Sequence, residues 1–421
     1  MKSLSASRVV PKHWAVKRLK YAATVIMGQS PPSEECGISA DMGIPFLQGT
    51  AEFSTTGPIP RQYCPTPPKV APAQSILFSV RAPVGELNNA DQQFGIGRGL
   101  CAIVTFEILH KDYLWWALHK VRNDLKVVST GSTYEAVAAE DVGNLVIPLP
   151  PLDEQKKIAS YLNQETIRLD TLVTEKQNHL KLISEKRHAL ITSAVKRGID
   201  STARLKKSNI PWLCDIPEHW PLFRAKFLWR ECSLPVRTDD EMVTCFRDGQ
   251  VTLRKNRRED GFTNAVKELG YQGVRAGQLV LHSMDAFAGA IGVSDSEGKC
   301  TPEYIICDPV REDVYNPYYG YLLRIMAING FVQATCTAVR ERAPRIHFSD
   351  FGNMFFPVPP LEEQRAIVDH IVSETAKLDA LRAATEKTIG LLKERRAALI
   401  SAAVTGKIDT ATSHHKGAKQ C

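Results

Sequence analysis

The stretch Pro148-Leu149-Pro150-Pro151-Leu152-Asp153-Glu154-Gln155 returns as Pro357-Val358-Pro359-Pro360-Leu361-Glu362-Glu363-Gln364, and the register then holds without a gap to Asp200 and Asp409. At this constant offset of 209 the two copies share 22 identities in 53 pairs. Unrelated segments of average composition would share roughly one residue in 15. The chain is a tandem duplication.

Each copy reads as one long helix. Apolar or small residues fall at 158, 162, 169, 172, 180, 183, 190 and 194, and again at 367, 371, 378, 381, 389, 392, 399 and 403. Steps of three, four and seven put them on one seam of near-heptad period. Two prolines precede Asp153-Glu154 and Glu362-Glu363, which places carboxylates in the first turn, where the helix dipole favours them. Lys196-Arg197-Gly198 and Gly406-Lys407 are stop signals at the far ends.

Before each helix lies a segment rich in Pro, Gly and aromatics, and the two segments begin alike. Pro11-Lys12-His13-Trp14 with Arg18, Lys20 and Tyr21 matches Pro217-Glu218-His219-Trp220 with Arg224, Lys226 and Phe227. The order is globule, helix, globule, helix, with expected boundaries 1–147, 148–200, 201–356 and 357–409 and a disordered tail at 410–421. Strand-like runs at Ile44 to Leu47, Ser75 to Val80, Leu100 to Phe106 and Leu145 to Ile147, with a helix near Tyr113 to Val121, make the first globule α+β. The second has strands near Gln278 to His282, Ala290 to Val293, Tyr304 to Cys307 and Met354 to Val358, and a helix near Tyr318 to Ile328. The fold class is therefore α+β, two globules separated by two long antiparallel coiled-coil helices with pseudo-two-fold repetition.

A length of 421 residues allows each globule its own core. No apolar run approaches 18 residues and the start Met1-Lys2-Ser3-Leu4-Ser5 is polar, so a cytoplasmic protein without a membrane role is expected. The ten cysteines form no Cys-x-x-Cys and no His pair has finger spacing, so they read as reduced thiols and no metal is expected. A net charge of +7 permits nucleic-acid binding without requiring it.

Gly and Pro punctuate both globules into loops, where a scaffold carries its recognition residues. In the first, Gln48 and Thr50, Arg81 and Arg98, and Ser132, Thr133 and Tyr134 combine small residues with donors able to reach phosphates or bases. The second offers Arg254, Lys255, Arg257 and Arg258, then Ser283, then Arg340, Arg342, Arg345 and His347. Glu154, Gln155, Glu363 and Gln364 are candidate docking residues for partner subunits, although the glutamates also complement their own helix dipoles.

The repeated Pro-Pro-Leu-(Asp/Glu)-Glu-Gln strings, with Ile76-Leu77-Phe78-Ser79-Val80-Arg81-Ala82-Pro83-Val84-Gly85 and Gly131-Ser132-Thr133, resemble the specificity subunits of type I restriction-modification systems. The resemblance spans about Pro11 to Asp409. It implies two target-recognition domains, each reading half of a split sequence in double-stranded DNA, and two helices that dock two modification (methyltransferase) subunits. Restriction (translocase/endonuclease) subunits would join them. It implies no catalytic residue and no cofactor in this chain, with S-adenosylmethionine, ATP and Mg entering through the partners. The second globule departs from the first, with His282-Ser283-Met284-Asp285 where Ser-Val-Arg-Ala stands, so its half-site is expected to differ.

The alternative is a coiled-coil adaptor whose globules bind proteins. Enzyme readings are weaker still. Asn316-Pro317-Tyr318-Tyr319 lacks the second Pro of an adenine methyltransferase motif, and Tyr319 onward takes the place of Tyr113 onward as a helix start. Asp285 with Glu297-Gly298-Lys299 is a thin basis for a metal nuclease, since the latter string also reads as a turn.

Overall fold

A computed structural model describes residues 10–128, 137–257, 269–332 and 345–408. They form two compact units, 1–177 with 386–421 and 178–385. Each unit thus contains one globule, the first part of one long helix and the last part of the other. The expected domain limits lay at the junctions of globule and helix; the compact units instead divide both helices near their middles. Helix ends are buried against globules, and that burial decides which residues belong together.

The frame of the first globule is an antiparallel sheet in the order Ala23–Met27, Leu100–Thr105, Ile76–Ser79, Leu87–Asn89. The second repeats it with Trp229–Glu231, Tyr304–Pro309, Leu279–His282 and Ile291–Val293. Alternate side chains of a strand face opposite sides. Ile76 and Phe78 accordingly pack with Tyr113, Leu114 and Leu118 of the helix Lys111–Val128, whereas Leu77 joins Leu47, Phe94 and Ile96 on the other face. Leu279 and Leu281 face Tyr318 and Leu322 of the helix Asn316–Ile328, and Val280 faces Val243, Val251 and Val274. Burial on both faces explains why these strands read as unbroken apolar runs.

The second layer keeps one strand order in both globules but differs in its central pairing. In the first it is one mixed sheet, Gln62–Cys64, Ile44–Leu47, Phe94–Ile96, Val70–Ala71, with a parallel pair between Ile44–Leu47 and Phe94–Ile96. In the second the corresponding order is Val251–Leu253, Val243–Cys245, Gly298–Cys300, Gln272–Val274: two antiparallel pairs whose parallel link is reduced to one bridge between Met242 and Lys299.

The long helices are Leu152–Arg197 and Leu361–Val404. In the first unit Ile158 and Leu162 share a core with Ile400, Ala403 and Val404, and Arg396 Nε meets Asp170 at 3.0 Å. In the second, Ile191, Ala194 and Val195 share one with Ile367, Val368 and Ile371, and Arg187 pairs with Asp379. Numbers rise along one helix as they fall along the other, so the pairing is antiparallel. Both ion pairs join the same two repeat positions with the helices' roles exchanged. The seam holds at Ile158, Leu162, Leu169, Ile183 and Ala194 and at Ile367, Ile371, Leu378, Ile389 and Ala403, all buried. Leu172 and Leu381 were expected there and are 37% and 43% exposed. Two positions absent from that seam, Thr166 and Thr375, are buried and return their hydroxyls to Leu162 O (2.5 Å) and Ile371 O (2.7 Å). A hydroxyl bonded to its own helix can enter a core without an unmatched donor.

The helix ends are tied to the globules by one device used twice. Trp14 Nε1 donates to Glu154 at 3.1 Å beside His13, and Trp220 Nε1 donates to Glu363 at 3.1 Å beside His219. Gly198 and Gly406 end the two helices with φ of 76° and 69°, a left-handed turn that glycine takes without a Cβ penalty. A Cβ at Gly406 would also lie 2.4 Å from Pro11 Cδ. Tyr113 Oη lies 2.9 Å from Pro148 O and 3.4 Å from Val404 O, whereas in the second globule Tyr319 Oη donates to Pro357 O at 3.2 Å and Tyr318 Oη to Val195 O at 2.8 Å. Two tyrosines of the second globule thus share what Tyr113 does alone: Tyr319, the expected match, takes the strand carbonyl at Pro357, and Tyr318 takes the carbonyl at the end of the long helix.

Candidate nucleic-acid interface

In the first globule three segments converge where the frame sheet meets the second layer. Strand Ile44–Leu47 delivers Gln48 beside Gly97, whose amide donates to Leu47 O at 2.8 Å. A Cβ at Gly97 would lie 2.5 Å from Gln48 Oε1, so a larger residue there would push the Gln48 side chain aside. Ser30 Oγ accepts from Gln48 Nε2 at 3.0 Å and from the Arg98 amide at 3.4 Å. Val80 N donates to Gly99 O at 3.0 Å, which sets Arg81 next to the turn carrying Arg98. Gln48, Arg81 and Arg98 are thus brought together and exposed, and neither arginine makes an ion pair with a described residue. Thr50 stands apart, on the edge of a groove of about 620 Å³ shared with Phe53, Pro83, Asn88 and Trp115. Ser132, Thr133 and Tyr134 lie outside the described residues.

The equivalent place in the second globule has the same backbone and other chemistry. Ser283 N donates to Glu303 O at 2.8 Å and Ile346 N to Ser283 O at 3.1 Å, as Val80 N does to Gly99 O and Val137 N to Val80 O (2.8 Å). Val80, Gly99 and Val137 therefore correspond to Ser283, Glu303 and Ile346. Ser283 is buried and its Oγ donates to Glu303 Oε2 at 3.1 Å, so it braces the site from within rather than facing a ligand. Arg345 Nη2 stands 3.5 Å from Glu303 Oε1. His347 is exposed and precedes the short helix Phe348–Asn353, its amide donating to Asp350 at 3.2 Å. His282 packs edge-on against Tyr304, and burial pushes its pKa down, partly offset by Asp285 and Glu303. It is neutral at physiological pH.

The basic run after strand Val251–Leu253 is not a free cluster. Lys255 pairs with Glu241, Arg257 with Asp248 at 2.7 Å and over the Phe246 ring at 4.3 Å, and Arg254 is half-buried against Thr244 Oγ1. Exposed pairs of this kind contribute about 0–1 kcal/mol, so a phosphate can displace their carboxylates cheaply. Asp248 adjoins Arg247, which bonds Asp285 at 3.0 Å, so the run and the Ser283 group form one surface. Arg258, Arg340 and Arg342 lie outside the described residues. Ser30, Arg247 and Glu303 were not anticipated. For Glu303 the usable signal was its place one residue before an apolar strand, where the first globule has Gly99.

The expected docking residues have internal work. Gln155 accepts from His110 N at 2.7 Å and donates to Ile108 O and Pro150 O; Gln364 accepts from Tyr315 N at 2.9 Å and donates to Asp313 O and Pro359 O. Both are fully buried, which removes them from any partner surface in this conformation and corrects the reading that they face one. Glu154 and Glu363 hold the His-Trp pairs already described.

The enzyme-like strings are engaged likewise. Asn316 accepts from Trp229 Nε1 at 2.9 Å and donates to Gly277 O, and Tyr318 and Tyr319 are buried. Glu297 pairs with Arg237 and Asp285 with Arg247. Among the described residues no group of three His, Cys, Asp or Glu has metal-holding geometry, and no helix is long and apolar enough to cross a membrane.

Each unit thus carries one copy of the same frame with its own candidate interface. Residues 11–182 match the family model of the type I restriction modification DNA specificity domain. The type I restriction enzyme MjaX specificity subunit of Methanocaldococcus jannaschii is 35% identical over 201 residues, 46% of this chain and 47% of that one, so the match spans about half of the relative's length. The EcoDI specificity subunit of Escherichia coli is 20% identical over 362 residues, 79% of this chain and 76% of the relative. A solved chain from work on complex assembly and conformational transition of the type I R-M system superposes with a TM-score of 0.72 at 19% identity, covering 95% of this chain and all of its own. The HsdS subunit from Thermoanaerobacter tengcongensis gives 0.56 at 19%, covering 96% and 99%. Over residues 11–182 the chain is thus similar to the type I restriction modification DNA specificity domain, and over most of its length it has the fold of the solved HsdS subunit.

Proposed function

We propose that the chain recognises a split sequence in double-stranded DNA, each globule reading one part, and that it acts as the non-catalytic addressing subunit of a larger cytoplasmic complex. The observation that carries this is the repeated frame with unlike side chains at one equivalent place. Exposed Arg81 and Arg98 suit guanine or phosphate in the first globule, and Arg345 beside Glu303 presents a guanidinium in another setting in the second. Arg254, Lys255 and Arg257 supply phosphate contacts.

Docking of two like modification subunits is supported by a second repeat. Tyr21 (62% exposed), Phe106 and Val146 recur as Phe227 (56%), Val310 and Phe355, with Lys20 and Lys226 over the rings. What both units share cannot distinguish two half-sites, but it can hold two copies of one partner. S-adenosylmethionine, ATP and Mg belong to the partners, including restriction subunits.

Selection of the full chain against randomised duplexes tests the reading. We expect enrichment of two short motifs at a fixed gap, and binding that weakens by about 10³-fold or more between 50 and 200 mM salt. Salt-independent binding without enrichment would favour a protein-binding adaptor.

A further inference from the structure

We infer that Glu303 is a positioning residue for base reading by the second globule, acting through Arg345; this rests on the DNA-reading proposal and names a residue within it. The two carboxylate oxygens have separate duties. Oε2 accepts from the buried Ser283 hydroxyl at 3.1 Å, and Oε1 faces Arg345 Nη2 at 3.5 Å. Ser283 is itself clamped by its amide to Glu303 O and by its carbonyl to the Ile346 amide, the residue after Arg345. The carboxylate is therefore held from behind by the frame and presents its second oxygen to the guanidinium.

Arg345 Nη2 also lies 3.5 Å from Met284 Sδ. Its Nη1 and Nε have no partner among the described residues, and the side chain is 52% exposed against 34% for Glu303. A guanidinium drawn toward a carboxylate at one nitrogen loses less rotamer freedom when its remaining N–H groups meet a base edge. The bidentate reach of arginine suits guanine O6 and N7. The first globule cannot contain this device. Gly99 occupies the equivalent position, and a Cβ there would come 2.6 Å from Gln48 O. The same backbone site is closed to a side chain in one globule and occupied by the buttress in the other, which makes it a determinant of the difference between the half-sites.

The test compares the full chain with Glu303→Ala, Glu303→Gln, Arg345→Ala and the Ala/Ala double variant in the randomised-duplex selection, with thermal unfolding of each. Arg345→Ala should relax one position of one motif by about tenfold or more. Glu303→Ala should relax the same position, and the double variant should be no worse than Arg345→Ala, because one interaction is removed only once. Glu303→Gln, nearly equal in shape, should fold and retain the Ser283 bond while losing part of the discrimination. Relaxation by Arg345→Ala alone, or additive losses in the double variant, would overturn the role of Glu303 and leave DNA reading intact. A wild-type chain with no sequence preference would overturn DNA reading and this inference together.

Discussion

The two globules share their bonds to the long helices and their backbone frame, and differ in the side chains set on equivalent loop positions. Tyr113 and Tyr318, Gln155 and Gln364, Trp14 and Trp220 make matching hydrogen bonds, and both frame sheets have the same strand order. The second layer keeps its strand order too, with the central parallel pair of the first globule shortened to a Met242–Lys299 bridge in the second. Packing against a duplicated helix constrains one face to stay complementary to it, whereas a loop at the opposite end only has to close its backbone hydrogen bonds. Duplication followed by change at the free end produces two readers on a common mount.

The sharpest challenge to this equivalence is at the glutamines. Each buried amide satisfies three backbone groups, so Gln155→Ala and Gln364→Ala should each destabilise their own unit by about 2–4 kcal/mol, because the groups left behind are orphaned. Denaturant unfolding followed by hydrogen exchange in each unit measures both. Similar losses sustain the common mount, and a large loss in only one would show that the two anchors are not equivalent.

A smaller effect should separate the globules by pH. His282 has no counterpart in the first globule, where Ser79 ends the equivalent strand. Its folded pKa lies below the ordinary value near 6.5, chiefly through burial. As pH falls below about 6.5 the unfolded chain takes up a proton before the folded one, so this stabilisation is complete above that pH and is lost toward the lower folded pKa. The second unit should therefore weaken on mild acidification more than its His282→Asn variant does. An identical pH profile for wild type and variant would remove His282 from the comparison.

The smallest expected effect lies on the helix pair. Asp170→Asn and Asp379→Asn each break one of the equivalent, largely exposed ion pairs, and each should cost less than about 1 kcal/mol. A loss several times larger in either unit would mean that these charges order the seam rather than decorate it.

Much of the fold was legible in the chain because it was written twice. The repeat located both long helices, and the strands at Ile44–Leu47, Ile76–Ser79, Leu100–Thr105, Leu279–His282 and Tyr304–Pro309 stood out as apolar runs. Three-residue strands such as Leu87–Asn89 and Gly298–Cys300 carry too few side chains for any period to register. Exposure of Leu172 and Leu381 was equally illegible, since a heptad pattern gives the face of a helix but not how much of that face a neighbour covers.

By itself, then, the sequence determined the duplication, the α+β class, the two long helices and the loops where recognition residues could stand. Those follow from local period and from repetition along the chain. Only the tertiary structure decided that Gln155 and Gln364 are internal staples, that Lys255 and Arg257 already hold carboxylates, and that Glu303 stands where the first globule has Gly99. Each depends on what another segment places within about 3–4 Å of a side chain, and hydrogen bonds and contact pairs between distant segments leave no periodic trace in sequence.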